Sequence, residues 1–259
     1  MTNPPNPGTL SFFLTGDPGN PNGGFFERFT GLYIPLWDLM LNGATPPDSP
    51  FATVIFTDQY DMVADFPQYV LNPVSDLNAV VGFLVWHGPH DYVDLMPTQI
   101  SNAIQLPTSP GYSGNTRYYE MPTQNLPLVT PLRYLPQPYG NALADLLQPD
   151  LRVLVDMGYG SGQYADIPTP ASLFELPNVF TIVPDLANGA VQGPQAALVD
   201  LGLLPQSMMP TGYPFNPVVD PGLNVPLPQS SVTGVSLLTG FEGQLMRASG
   251  LIPSWDSWG

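Results

Sequence analysis

The stretch Ala52-Thr53-Val54-Ile55-Phe56-Thr57, with Gln59-Tyr60-Asp61-Met62-Val63-Ala64-Asp65-Phe66-Pro67 behind it, decides how this chain is read. Its first six residues are mostly apolar, β-branched or aromatic, the composition of a strand. Asp61 and Asp65 therefore fall in the loop that follows that strand. Upstream, Leu10–Leu14 is a short apolar run stopped by Thr15-Gly16-Asp17-Pro18-Gly19, which reads as a buried strand entering a turn-rich loop that ends near Gly24. Downstream, Ser75 is placed to cap a helix through about Leu84, with Leu77, Val80, Val81 and Leu84 on one face. A second helix is expected over Gln99–Ile104, a strand over Arg117–Met121, a helix over Asn141–Leu147 stopped before Pro149, and a third apolar strand over Leu151–Val155. Strands alternating with helices predict an α/β fold: a mostly parallel sheet with helices on both faces.

After about Pro168 the pattern weakens. Pro194 starts an expected helix over Gln195–Leu201 that Gly202 ends, Leu203–Gln229 is rich in Pro, Gly and Met without a period, and Val232–Leu251 reads as a Gly-interrupted helix. The expected division is a domain over residues 1–170 and a Pro/Gly-rich, partly helical extension over 171–259. Thirty-four prolines in 259 residues predict long irregular connections around the core.

Charge and missing residue types exclude several functions. Five arginines and no lysine face 21 acids, a net charge of −16, which repels phosphate backbones and anionic lipid and argues against nucleic acid as a partner. Without lysine there is no Schiff-base nucleophile, and without cysteine there is no thiolate or Cys-ligated metal. The longest apolar stretch, Ala79–Trp86, is far short of the ~20 residues of a transmembrane helix. The Met1–Pro7 segment has neither the basic nor the hydrophobic region of a Sec signal peptide.

Few side chains are left for chemistry. The two histidines stand in Trp86-His87-Gly88-Pro89-His90-Asp91. With Asp91 or Asp94 they would make an incomplete metal set, lacking a third His and a nearby Glu, so no metal and no cofactor is expected. A general base is the better use of a histidine here, an exposed loop residue being the plain alternative. Asp61 is its expected partner. Serine hydrolases of the α/β-hydrolase type place their triad acid after a central strand and run Ser, acid, His along the chain, and Asp61 and His87 follow the last two steps of that order. A turn aspartate binding backbone N–H groups is the other reading of Asp61. In the Asp17–Gly23 loop the acids and amides do not alternate as in a calcium loop, so an Asx-stabilised turn is expected. Gly111-Tyr112-Ser113-Gly114-Asn115 and Gly158-Tyr159-Gly160-Ser161-Gly162 approach a G-x-S-x-G nucleophile turn, but the first lacks a strand before it and the second holds its serine in the wrong register.

The resemblance becomes specific in Gly16-Asp17-Pro18-Gly19-Asn20-Pro21-Asn22-Gly23-Gly24, Gly31-Leu32-Tyr33-Ile34-Pro35, Asn42-Gly43-Ala44-Thr45-Pro46 and the Gln59–Tyr69 segment. It continues through Leu106–Tyr112, Asn125-Leu126-Pro127-Leu128 and Ala144–Asp156. Together, over roughly residues 8–170, these resemble the PE-PPE domain of mycobacterial proteins, a family similar to cutinases and other α/β-hydrolases and associated with serine esterase or lipase activity on acyl esters. The resemblance implies Asp61 as triad acid and His87 as triad base, with Asp65 and His90 in reserve. In the family a G-x-S-x-G or G-x-S-x-S turn precedes the segment matching Leu10–Gly24, and Met1 falls after it. The expectation is thus a hydrolase domain that retains acid and base but lacks the nucleophile, with little or no turnover as this chain. A non-catalytic secreted or cell-surface binding module is the alternative. The family implies a secreted or cell-envelope setting, although no export signal is read in the chain. Without the nucleophile strand, sheet edges would be left unpaired, from which self-association is expected.

Overall fold

The computed structural model describes residues 5–85, 87 and 97–252. The chain enters through strand β1 (Ser11–Thr15), the short helix α1 (Phe25–Arg28) and the hairpin β2 (Tyr33–Ile34) and β3 (Leu39–Met40), then reaches β4 (Ala52–Asp58). Helices α2 (Pro73–Val85) and α3 (Pro97–Asn102) lead to β5 (Ile104–Gln105) and β6 (Thr116–Met121). Three longer helices complete the described chain: α4 (Tyr139–Asp156), α5 (Val179–Asp200) and α6 (Gly234–Ala248). The main sheet has the order β1-β4-β6-β5, parallel except at β5, with Ser11 opposite Ala52 and Thr53 opposite Thr116. The α/β architecture with a mostly parallel sheet is therefore as the sequence predicts.

β4 is the central strand because its alternating apolar residues have somewhere to go on each side. Ile55 packs with Tyr118 and Ala165. Beyond the strand's end, Tyr60 gathers Leu126, Val129, Ala144 and Val155 into a second cluster. β1 differs from expectation. Among the described residues it pairs with β4 alone, and Phe12 and Phe13 remain 40% and 57% exposed, so it is an edge strand there rather than a buried one.

The expected strand at Leu151–Val155 is instead the last part of α4, which runs through Pro149 without stopping. An apolar run of five cannot by itself distinguish strand from helix. Here Arg152, Val153, Val155 and Asp156 turn inward, while Leu154 is exposed. A proline costs a helix one hydrogen bond and a clash with the preceding turn, and burial of Pro149 among its neighbours offsets that loss. Likewise α5 begins 16 residues before the expected Gln195 and passes through Pro184 and Pro194, lying along α4 with Gly189 against Asp150 and Gly193 against Leu146. It ends at Asp200, and Gly202 just beyond it is in left-handed conformation at φ 71°.

The face of α2 is reversed. Ser75, Asn78, Ala79 and Gly82 are buried, while Leu77, Val80 and Leu84 are exposed. Ser75 is also inside the helix rather than capping it, and its hydroxyl donates to the Val155 carbonyl at 2.5 Å. Small residues win this face because the helix lies directly on backbone: a Cβ on Gly82 would sit 2.2 Å from the Tyr60 carbonyl oxygen. The expected second helix is shifted too, since α3 ends at Asn102 and Ile104 begins β5.

Candidate active site

The loop after β4 turns sharply. Tyr60 holds φ 70°, unusual for a side chain of its size. That conformation is fixed from within, because the Tyr60 N–H donates to Asp65 Oδ2 at 2.8 Å and the Asp65 N–H to the Asp61 carbonyl at 2.7 Å. It is also fixed from outside by the Asp17–Gly24 loop. The Asn20 side chain donates to the Ala64 carbonyl at 3.1 Å, the Phe66 N–H to the Gly23 carbonyl at 2.7 Å and the Phe25 N–H to the Val63 carbonyl at 2.9 Å. Gly23, at φ 147°, allows this approach, since a Cβ there would meet the Ala64 carbonyl at 2.7 Å. Asp17 forms the expected Asx turn, accepting from the Gly19 N–H at 2.9 Å.

Held in this loop, Asp61 is fully buried. One oxygen accepts from the Val63 N–H at 3.0 Å, and the other lies 2.9 Å from His87 Nδ1. His87 follows the end of α2, and Gly82 sets its position by letting the helix rest on the Tyr60 backbone. The ring stacks on Phe83 at 5.5 Å and keeps 27% of its side chain exposed. The hydrogen bond to Asp61 raises the His87 pKa above its ordinary value, against the opposing effect of partial burial. With Nδ1–H donated to Asp61, the neutral ring carries its lone pair on Nε2, the tautomer a general base needs. The carboxylate would in turn stabilise the imidazolium.

Of the reserve residues, His90 lies outside the described residues. Asp65 is directed away to other partners: it accepts from Tyr60 and its neighbours are Arg28, Asp156 and Glu120 rather than His87. Burial pushes its carboxyl up to about 7. Ser113 is exposed, and Ser161 is buried with its hydroxyl accepting from the Asn224 N–H at 3.2 Å.

Sequence reasoning missed the polar network beneath the loop. The Tyr60 hydroxyl donates to Asp156 Oδ1 at 2.7 Å and accepts from Arg152 at 3.1 Å, and the Tyr213 hydroxyl donates to Asp156 Oδ2 at 3.0 Å. Arg152 and Asp156 share one face of α4 at helical spacing, a signal hidden by reading Leu151–Val155 as a strand. Arg28, 2% exposed, donates to the Phe66 and Thr169 carbonyls and to Asn22 Oδ1, joining the loop to residues near 169. A cavity of about 280 Å³ opens beside Asp58, Asn102, Met121 and Thr123. No helix among the described residues is long and apolar enough to cross a membrane.

Comparison with known proteins gives this geometry a context. The PE-PPE domain family model matches residues 1–160. The PE family protein PE3 of Mycobacterium tuberculosis is 53% identical over 96% of this chain and 52% of its own length. Esterase PE16 of the same organism is 44% identical over 85% of this chain and 39% of its own length. Its SL1278 acyltransferase Chp1 is 30% identical over 64% of this chain and 39% of its own length. The chain thus spans about half the length, or less, of these curated relatives. No solved structure matches it significantly.

Proposed function

The chain belongs to the PE-PPE domain family, and from that premise we propose that it supplies the acid and base of a serine-dependent acyl-ester site, with Asp61 orienting the imidazole and His87 moving the proton. The observation that carries this reading is the 2.9 Å contact between His87 Nδ1 and the fully buried Asp61 carboxylate. In a complete site a serine hydroxyl would give its proton to His87 Nε2 as its oxygen attacks the ester carbonyl. His87 would then protonate the departing alkoxide. Water as the next acceptor gives hydrolysis and another alcohol gives acyl transfer. Both outcomes fit a family whose relatives include a named esterase and a named acyltransferase.

The sequence contains no G-x-S-x-G turn. Acid and base alone cannot form the acyl-enzyme, so the 259-residue chain by itself is expected to show little or no turnover. The test is p-nitrophenyl acyl ester hydrolysis by the purified chain and by the chain fused behind a family segment carrying the strand, nucleophile turn and following helix. The expected result is background rate for the chain and turnover for the fusion that His87→Ala abolishes. A robust rate from the chain alone that is lost in His87→Ala would overturn the missing-nucleophile reading. Fusion activity indifferent to His87→Ala would overturn the assignment of the base.

A further inference from the structure

We propose that Phe83 is a positioning residue for His87, its ring fixing the plane of the imidazole and lying against the positive charge that the imidazole takes up. The inference rests on His87 acting as the base and names the side chain that aims it. His87 follows α2, and its N–H still donates to the Gly82 carbonyl at 3.4 Å, so the chain keeps winding past Val85. Residues four apart on such a turn lie over one another. The His87 ring is thereby laid on that of Phe83, with centroids 5.5 Å apart and planes 19° from parallel. Offset stacking is an arrangement that aromatic rings prefer.

Aiming an imidazole takes two constraints. The 2.9 Å contact between Nδ1 and Asp61 fixes one atom of the ring, but the ring can still turn about that contact, and Nε2 on its far side swings with it. A flat partner against one face removes this freedom. The partner is itself anchored, because its neighbour Gly82 packs so closely on the Tyr60 carbonyl that a Cβ there would sit 2.2 Å away. Phe83 and Asp61 are thus referred to the same loop.

Burial does not account for a phenylalanine at this position. The buried face of α2 is Ser75, Asn78, Ala79 and Gly82, and Phe83 lies off it, 43% exposed. What an aromatic ring adds over leucine is a flat face that attracts a cation within about 6 Å of its centre. The other groups bearing on the His87 charge are the hydrogen-bonded Asp61 carboxylate and Asp58 at the end of β4, which favour the charged ring, and burial, which opposes it. The direction of the response therefore separates aim from shelter. If Phe83 only shields the imidazole from water, its loss raises the His87 pKa; if its face attracts the charge, its loss lowers it.

The experiment is a proton NMR pH titration of the whole 259-residue chain as wild type, Phe83→Leu and Phe83→Tyr, with His87→Gln to tell the His87 signals from those of His90. The His87 ring protons are expected to lie upfield in the Phe83 ring current and to lose that displacement in Phe83→Leu, with the titration midpoint falling. Phe83→Tyr is expected to keep both. In the active fusion, Phe83→Leu is expected to lower kcat about three- to tenfold, as loss of a stacking contact implies, with KM little changed and recovery in Phe83→Tyr. Should Phe83→Leu fail to fold by circular dichroism, Phe83→Met is judged by the same criteria. A midpoint that rises or stays, ring-proton shifts unchanged in the folded variant, or kcat unchanged in a fusion that His87→Ala abolishes would each overturn the proposal. Fusion activity indifferent to His87→Ala would overturn the base assignment and the aiming role with it, and the NMR result, which needs no turnover, tells the two failures apart.

Discussion

Asp61 and Asp65 stand four residues apart on one loop, both buried, yet their surroundings are opposite. Asp61 meets donors, the Val63 N–H and His87 Nδ1, and its effect is to raise the pKa of His87. Asp65 meets one backbone donor, the Arg28 charge and other acids, and burial lifts its own carboxyl to about 7. Two residues of one type on one turn thus acquire different chemistry from what the tertiary structure sets against them. On one side lies the His87 imidazole, and on the other Arg28 with the carboxyl groups of Asp156 and Glu120.

The sharpest test of that contrast is to neutralise each carboxylate in the active fusion. Asp61→Asn should lower kcat by roughly a thousandfold or more by losing the tautomer and the imidazolium partner, whereas Asp65→Asn should change it by less than about tenfold. Equal losses in ester hydrolysis would erase the distinction. Next in size is Gly82→Ala. Its new Cβ would meet the Tyr60 carbonyl at 2.2 Å, so the helix that leads to His87 must lift from the loop that holds Asp61. A loss of about 1–3 kcal/mol is expected from overpacking of this kind, read as a lowered urea midpoint at constant m, and an unchanged midpoint would contradict the close packing described.

A smaller effect is expected from pH. Asp65 at about 7 and Asp156 at about 6 lie above their unfolded values, so the folded chain holds protons that the unfolded chain releases. Their contribution is fully present below about pH 4, near the unfolded aspartate value, and is lost as pH rises through 6 to 7. The raised His87 acts in the same direction, since its pairing with Asp61 stabilises most while the ring is charged. Tm should therefore fall by several degrees between pH 5 and pH 8, and Asp65→Asn should flatten the fall. A Tm that rises over that interval would reverse the sign and refute the protonated cluster. The smallest effect is the His87 titration itself. Followed by NMR, its pKa should lie above about 6.5, the ordinary histidine value, and drop in Asp61→Asn but move little in Asp65→Asn.

Much of the fold is legible locally. Ala52–Thr57 has the composition of a strand, Asp61 has to fall in the loop after it, and Gly202 stops a helix because only glycine adopts its backbone conformation without strain. Local pattern fails where a neighbour decides which face is buried. The leucines and valines of α2 look like its core side, but Gly82 meets the Tyr60 carbonyl, Ser75 the Val155 carbonyl and Asn78 the Leu128 N–H, so the opposite face is buried. Leu151–Val155 satisfies a strand pattern and a helix pattern equally, and packing against α5 selected the helix despite Pro149.

The sequence by itself therefore determined the α/β class and the family, and it placed Asp61 in the loop after β4. The structure alone decided that Asp61 and His87 lie 2.9 Å apart, that Asp65 turns instead towards Glu120 and Arg28, and that Arg152 and Asp156 reach beneath Tyr60. The reason is one of range. Strand and turn preferences act over a few residues, whereas the proton affinity of a buried group depends on the donors, acids and apolar walls that residues 26 to 96 positions away bring to it.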